Sequence, residues 1–240
     1  MSIIHLAEAD STNSWLKQHR GELSHGDAVT ADIQTAGRGR MGHEWLSDSG
    51  MLPFSVLLRN VRYPQFVTLA AAVAVCHVLD SLYERPQQFG IKWPNDIVLN
   101  GRKLCGILCE SAAGRDGIDI ICGVGLNLCQ SEEYFLSAGL PFGGSLKMMT
   151  GIAPDREQVA EQLCDAITEH CSRDFSELIG EYRSRCVTTG KEVLLISETG
   201  ERRAFAEGIA DNGHLICRDA SGSFEVYSGE ASVRGLYGYV

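Results

Sequence analysis

Residues 36–45 read Ala-Gly-Arg-Gly-Arg-Met-Gly-His-Glu-Trp, and this run concentrates more chemistry than any other stretch of the 240-residue chain. Gly37, Gly39 and Gly42 alternate with Arg38 and Arg40, and Trp45 closes the run. Glycine permits positive φ and close backbone approach to a ligand. Successive backbone N–H groups in such a turn form an anion-binding concavity. Arginine adds permanent charge in a planar fork that matches carboxylate or phosphate. Together they describe a mobile clamp for a small anionic ligand. An Arg-Gly segment that binds RNA is the plain alternative. It would be repetitive and low in complexity, whereas this run occurs once, between two strand-like segments.

A second constellation is Lys92-Trp93-Pro94-Asn95-Asp96, followed by Lys103-Leu-Cys-Gly-Ile-Leu-Cys-Glu110. Pro94 has no N–H to donate, so it belongs at a strand edge or bulge, where Lys92 can turn its charge into a pocket. The competing reading is a surface pair, with the lysine stem lying on the indole. The presence of Asn95, Asp96 and Lys103 favours a site. A third element, Gly123-Val-Gly-Leu-Asn127, ends an apolar strand. It lacks the G-x-G-x-x-G spacing and the following helix of a dinucleotide fold, so its glycines are expected to admit a ligand or the glycine loop.

These residues need a scaffold. Residues 3–7 and 27–34 read as strands, with Asp10, Ser11, Thr12 and Asn13 offering helix N-caps between them. Residues 54–58 read as a strand leaving the glycine loop. From Pro64 to Glu84, apolar residues recur at spacings of three and four, with Pro64 as a start signal and Pro86 as a stop. Asn100-Gly101 marks a two-residue hairpin. Residues 103–112 and 118–126 are apolar strands, separated by the turn residues Gly114 and Gly117. Residues 155–185 carry two amphipathic helices. After Gly190 come short alternating strands, punctuated by Glu198-Thr-Gly200, Asp211-Asn-Gly213 and Ser221-Gly222. That pattern predicts a small antiparallel barrel docked on the larger part.

Lys plus Arg total 21 against 31 Asp plus Glu, for a net charge of −10. An acidic chain without a basic stripe is a poor reader of duplex DNA. Nine cysteines fall at irregular intervals with no C-x-x-C, and most sit in apolar runs, as reduced buried thiols do. No window approaches the uninterrupted apolar length of a membrane span. The N-terminus has no signal-peptide pattern. A cytoplasmic protein is expected.

The order of motifs resembles the biotin–protein ligases (biotin–[acetyl-CoA-carboxylase] ligase, holocarboxylase synthetase). That family carries an N-terminal Ser-Thr-Asn, a Gly-Arg-Gly-Arg-x-Gly loop, Lys-Trp-Pro-Asn-Asp, Lys-x-x-Gly-Ile-Leu and Gly-x-Gly-x-Asn. Here they appear in that order at residues 11–13, 37–42, 92–96, 103–108 and 123–127. The likeness runs on through Ser145-Leu146, residues 182–190 and residues 228–234, so it covers essentially the whole chain. It implies an α/β (α+β) fold: a mixed sheet flanked by helices, as in class II aminoacyl-tRNA synthetases, over residues 1–187, and an SH3-like barrel over 188–240.

The resemblance also implies chemistry. Biotin and ATP, with Mg²⁺, would give biotinoyl-5′-AMP and pyrophosphate, and a lysine of a biotin carboxyl carrier domain would then displace AMP. Ser11, Thr12, Asn13 and Gln34 would bind biotin. Arg38, Gly39 and Arg40 would close over biotin and the adenylate, and Lys92 would contact the reacting carboxylate and phosphate. Lys92, Arg40 and Arg38 are thus the implied catalytic cations. Gly37, Trp45, Asn95 and Gly106 join the implied ligand-contacting set. Asp96, Lys103 and Asn127 are candidates for ATP or Mg²⁺ contacts, with hairpin salt bridges and turn hydrogen bonds as their plain alternatives; no residue is assigned as a metal ligand.

Many relatives carry arginine where this chain has His43. Ser11 falls so near Met1 that a preceding helix-turn-helix domain is not expected, nor is DNA or a membrane as partner; a homodimer stays open. Two competing activities also stay open: a lipoate or octanoate ligase of the same superfamily, and a non-catalytic biotin or nucleotide sensor.

Overall fold

A computed structural model describes residues 1–84, 88–197, 200–229, 231–236 and 238–239. The Pro86 stop and the turn at Glu198 and Thr199 lie outside the described residues. The first half is mostly strand: β1 (Ile3–Ala9), α1 (Thr12–His19), β2 (Ala28–Gln34), β3 (Met51–Leu58), α2 (Val67–Leu82), β4 (Gly90–Lys92), β5 (Asp96–Leu99), β6 (Arg102–Ala113) and β7 (Ile118–Asn127). Four helices follow, α3 (Glu132–Ser137), α4 (Leu146–Thr150), α5 (Arg156–Ser172) and α6 (Phe175–Arg185). The chain ends in β8 (Glu192–Ser197), β9 (Gly200–Ile209), β10 (Leu215–Asp219), β11 (Gly222–Val226) and β12 (Ser232–Gly235).

β1 to β7 form one mixed sheet in the order β1-β2-β3-β7-β6-β5-β4, parallel at β1–β2 and antiparallel elsewhere. Alternation along the central strands assigns each residue to a face. From β3, Leu52, Phe54, Val56 and Leu58 enter the larger core with α2 and α5, while Leu57 joins Leu16, Val29 and Ile121 beneath α1. Every β3 residue is therefore buried. On β7, Ile120, Cys122, Val124 and Leu126 point into the larger core. That leaves Gly123, Gly125 and Asn127 on the α1 face.

The structure corrects one expectation outright. Pro64–Leu82 is long and apolar enough, by length and composition alone, to cross a membrane. Val67, residues 69–76, Val78 and Leu79 are buried, because α2 packs between the sheet and helices α5 and α6. It is a core helix, wrapped in protein on nearly all sides. The helix proper starts at Val67, after a 3₁₀ turn over Pro64–Phe66. The strand leaving the glycine loop begins at Met51 rather than residue 54. β4, α3 and α4 carry too few residues for periodicity to reveal them.

Asn100 and Gly101 make the expected hairpin turn, both at positive φ (49° and 76°), as a type I′ turn requires. The C-terminal strands form an antiparallel sheet, β11-β10-β9-β8-β12. Its outer strands β11 and β12 are not paired with each other among the described residues, so the sheet is open where a closed barrel was expected. It docks as anticipated. Trp93, 2% exposed, donates Nε1–H to the carbonyl of Gly213 at 3.0 Å, and its backbone N–H reaches Thr188 Oγ1 at 2.9 Å. Val193, Leu195, Ala206 and Leu215 share the hydrophobic core of the main sheet.

Candidate active site

The α1 face of the sheet, the glycine loop and β12 enclose a cavity of about 720 Å³, within the range of small-molecule sites. Its walls are set by close approach. An added Cβ at Gly123 would lie 2.2 Å from Asn13 Oδ1, and at Gly125 or Gly106 it would fall 2.5 or 2.9 Å from the Trp45 ring. Gly106 and Gly125 are cross-strand partners. The Gly-x-Gly-x-Asn strand thus makes room for α1 at one glycine and for the loop's indole at the next.

The glycine loop is folded back on itself. Trp45 N–H donates to Gly37 O at 2.9 Å and Gly39 N–H to His43 O at 2.7 Å, with Arg38 bridged to Glu44. Its tip makes a 3₁₀ turn over Arg40–Gly42, where Met41 adopts positive φ. There the Ser232 hydroxyl meets Met41 Sδ at 3.2 Å, tying the loop to β12.

Ser11, Thr12, Asn13 and Gln34 line one end of the cavity. Ser11 occupies the N-cap position of α1, yet its side chain makes no capping hydrogen bond, so helix capping does not account for it. Gln34 Oε1 accepts from Thr12 N–H at 2.7 Å. Ser55 Oγ lies 2.7 Å from Thr12 Oγ1 and 2.6 Å from Asn13 Oδ1. Ser55 was missed by sequence reading; its signal was a lone hydroxyl inside an otherwise apolar strand.

Cations gather at the other end. Pro94 lies in the tight turn between β4 and β5, where Lys92 pairs with Asp96 in register. This turn, rather than a bulge within a strand, faces Lys92 into the cavity. Lys92 is 7% exposed, and burial pushes its ammonium pKa down to about 8 against the pull of Asp96. The surface-pair reading of Lys92 and Trp93 fails, since both are buried. Lys103 Nζ meets Asp96 Oδ1 at 2.7 Å and stands 5.1 Å from the Trp45 ring centre. Arg40 donates Nη1–H to Asn95 Oδ1 at 3.1 Å. Burial lowers its pKa, though not enough to discharge a guanidinium.

Gly37 falls outside the cavity lining, while Arg38 and Asn127 line it with donors already engaged. Gly37 is buried at the base of the loop, packed against the backbone of Trp45 and away from the cavity lining. Arg38 lines the cavity but is half-exposed, and its Nη2 is committed to Glu110 Oε2 at 3.0 Å and Ser14 Oγ at 3.2 Å. Asn127 lines the cavity but donates to the Gly144 carbonyl at 3.0 Å. Asn95, Asp96, Lys103, Gly106, Gly39, Arg40 and Trp45 all line it. So does Tyr239, which sequence reading also missed. Lys92 Nζ sits 3.7 Å from the centre of its ring, and its hydroxyl donates to Asp96 Oδ2.

The chemistry on offer is acceptor capture. Arg40 Nη2 and Trp45 Nε1 are buried with no hydrogen-bond partner, which is costly unless a ligand supplies the acceptor. A polar end built of hydroxyls and amides therefore faces a cationic end with unspent donors, across an aromatic wall.

The family model described as Biotin/lipoate A/B protein ligase family matches residues 6–127. The biotin–[acetyl-CoA-carboxylase] ligase of Paracoccus denitrificans is 33% identical over 230 residues, covering 90% of this chain and 94% of that one. The chain belongs to this ligase family. A second biotin–[acetyl-CoA-carboxylase] ligase, from Mycobacterium tuberculosis, is 33% identical over 93% of this chain and 85% of its own. Among solved structures, the biotin protein ligase of Aquifex aeolicus in complex with biotin and ATP superposes with a TM-score of 0.83 at 32% identity, covering 98% of this chain and 99% of that one. The family match spans β1 to β7, the strands that carry the loop and both ends of the cavity.

Proposed function

We propose that the cavity holds biotin at its polar end and ATP at its cationic end, and joins them. The chain is an ATP-dependent biotin–protein ligase. In the first half-reaction a carboxylate oxygen of biotin bonds to the α-phosphorus of ATP as the bond to the β-phosphate oxygen breaks, releasing pyrophosphate. In the second, the ε-amine of a carrier lysine attacks the activated carbonyl. An amide forms, AMP leaves, and the amine proton passes to solvent.

The observation that carries this reading is the pair of unspent donors, Arg40 Nη2 and Trp45 Nε1, beside a buried Lys92. Two anions must approach each other, and negative charge builds on the phosphate in the transition state. Fixed, desolvated cations counter both effects, usually the largest single source of catalysis. Lys92 and Arg40 face that region in our assignment; Ser11, Thr12, Asn13 and Gln34 match a cyclic urea, which needs both donors and acceptors. Trp45, over Gly106 and Gly125, walls the joint between the two ligands, and its loop shields the mixed anhydride from water.

Mg²⁺ fits as a companion of the nucleotide. It is commonly held by one or two carboxylates plus substrate phosphates and water, and no group of three or more acidic, His or Cys side chains is preformed for a metal among the described residues. Asp96, on the cavity wall, is the carboxylate that would hold it, with Asn95 and Asn127 nearby as neutral oxygens. When bound, the ion would neutralise phosphate charge.

We read residues 1–187 as the catalytic unit and 188–240 as the sheet that closes its nucleotide end. The acceptor is a biotin carboxyl carrier domain in the cytoplasm, consistent with nine unpaired cysteines, and neither DNA nor a membrane has a part. In the test, labelled pyrophosphate should exchange into ATP when biotin and Mg²⁺ are present and no carrier is added. One carrier lysine should then be biotinylated. Exchange that answers to lipoate or octanoate instead of biotin would overturn the reading.

A further inference from the structure

One oxygen atom joins the floor of the cavity to the loop that covers it. Glu110 sits on β6, two residues beyond Leu108, with its side chain 20% exposed. Its Oε2 accepts the Asn13 amide at 2.8 Å and Arg38 Nη2 at 3.0 Å. The partners come from α1 and from the glycine loop, 97 and 72 residues away in sequence.

The hydrogen bonds behind this oxygen run in one direction. Asn13 faces two groups that can only accept, Glu110 Oε2 and the Leu108 carbonyl (3.2 Å), so its –NH₂ lies on that side and Oδ1 lies toward Ser55. Ser55 has one proton, and Asn13 Oδ1 cannot supply one, so the proton of that contact comes from Ser55. The single Thr12 hydroxyl proton then faces two acceptors, Ser55 Oγ at 2.7 Å and Gln34 Oε1 at 3.1 Å, and is spent on one of them. Thr12 Oγ1 is left presenting lone pairs. Gln34, whose Oε1 already accepts Thr12 N–H, has its –NH₂ to donate. An acceptor and a donor side by side are what a urea requires.

We propose that Glu110 is a positioning residue that latches the glycine loop onto this ordered floor, with Arg38 as the bolt. Arg38 thereby acts by holding the loop shut, while Arg40 and Lys92 meet the reacting anions. The latch rests on the reading of the cavity as the biotin and adenylate site. Its consequence is kinetic: the loop holds biotinoyl-5′-AMP only as long as the Arg38–Glu110 bond lasts.

Glu110→Gln tests this, because an amide oxygen still accepts from Asn13 while the charge that holds Arg38 is gone. The measurements are biotin affinity by calorimetry, release of preformed biotinoyl-5′-AMP, and tryptic cleavage after Arg38 and Arg40 in biotin-saturated protein. Glu110→Gln should release adenylate about tenfold faster, the order expected for one charge-assisted bond at a partly exposed site. Its loop should be cut faster, with biotin affinity and melting temperature close to wild type. Glu110→Ala should lose biotin affinity as well. Adding Arg38→Ala to Glu110→Gln should change release no further, since both remove one interaction. Wild-type release from Glu110→Gln, or additive effects in the double variant, would overturn the latch while leaving the site reading intact. Wild-type protein that fails to bind biotin would overturn the site reading and the latch with it.

Discussion

Two clusters of buried charge can be compared within this molecule. One lines the cavity, where Lys92, Lys103 and Arg40 gather about Asp96. The other ties α6 to α2: Arg185, its side chain 5% exposed, donates to Asp80 at 2.7 Å and to Glu181 at 2.9 Å, and Glu181 also takes His77, which contacts His170 at 2.8 Å. The pKa shifts run in opposite directions. Burial lowers Lys92, and Asp96 does not make up the loss because Lys103 and Arg234 oppose it. Burial also opposes the charge on Arg185, but its bonds to Asp80 and Glu181 more than compensate and raise its pKa. A cluster whose cation is matched by two carboxylates holds the fold together. A cluster with surplus cations and unspent donors is prepared for something absent.

The sharpest way to break this comparison is a pair of substitutions. Lys92→Ala should cut biotin-dependent pyrophosphate exchange by roughly a hundredfold or more, the scale for one preorganised electrostatic contact, with no fall in melting temperature. Arg185→Ala should do the reverse, costing about 3–5 kcal/mol of stability by stranding buried carboxylates while exchange per folded molecule stays near wild type. Exchange assays with parallel thermal and denaturant unfolding would show whether the roles separate. Loss of folding in Lys92→Ala would remove the distinction.

The pH dependence sharpens it further. Lys92 is charged below a pKa of about 8 and neutral above it. If its charge drives adenylation, kcat/KM for ATP, which reports the free enzyme, should be full below that value and fall by about tenfold per pH unit above it. Lys92→Arg should abolish that alkaline limb, because a guanidinium stays charged. Stability moves the other way, since an exposed lysine keeps its proton to about pH 10.4 and raising pH relieves a buried charge.

A smaller effect is expected at Tyr239. Its ring rests on the Lys92 ammonium and its hydroxyl on Asp96, so a nucleotide approaching either must displace it. A cation–π contact of this kind is worth about 0.5–2 kcal/mol. Tyr239→Ala should therefore lower the KM for ATP several-fold, measured at saturating biotin; a raised KM would make the ring part of the nucleotide site. The smallest effect is predicted at His43, which is exposed at the cavity rim. His43→Ala should change the KM for ATP by less than about threefold, as exposed charge contacts do. A loss comparable to that of Lys92→Ala would place His43 among the groups that hold phosphate.

Much of the site was legible in the chain because its parts need special residues. A turn that places Lys92 beside Asp96, a pair of neighbouring strands that admit Trp45 only at Gly106 and Gly125, and a loop that reverses within a few residues each demand glycine or proline at set positions. Those demands survive in the sequence as motifs. The longer helices were legible too: α5 because burial of one face imposes a repeat, and α2 because a helix buried on nearly all sides leaves a long apolar run. The short elements β4, α3 and α4 were not; three to six residues carry no period, and their form comes from what they touch.

The chain by itself therefore determined which chemical groups exist and, through their spacing, which strands and turns carry them. Tertiary structure alone decided what each group faces. Arg38 reads as one more cation until Glu110, 72 residues on, neutralises it. Trp93 reads as a neighbour of Lys92 until Gly213 takes its indole N–H. The same apolar run that would suit a membrane becomes a core helix once a sheet covers it. Local sequence sets backbone preference and side-chain chemistry, but charge state, exposure and hydrogen-bond partner depend on groups brought close only when distant segments pack.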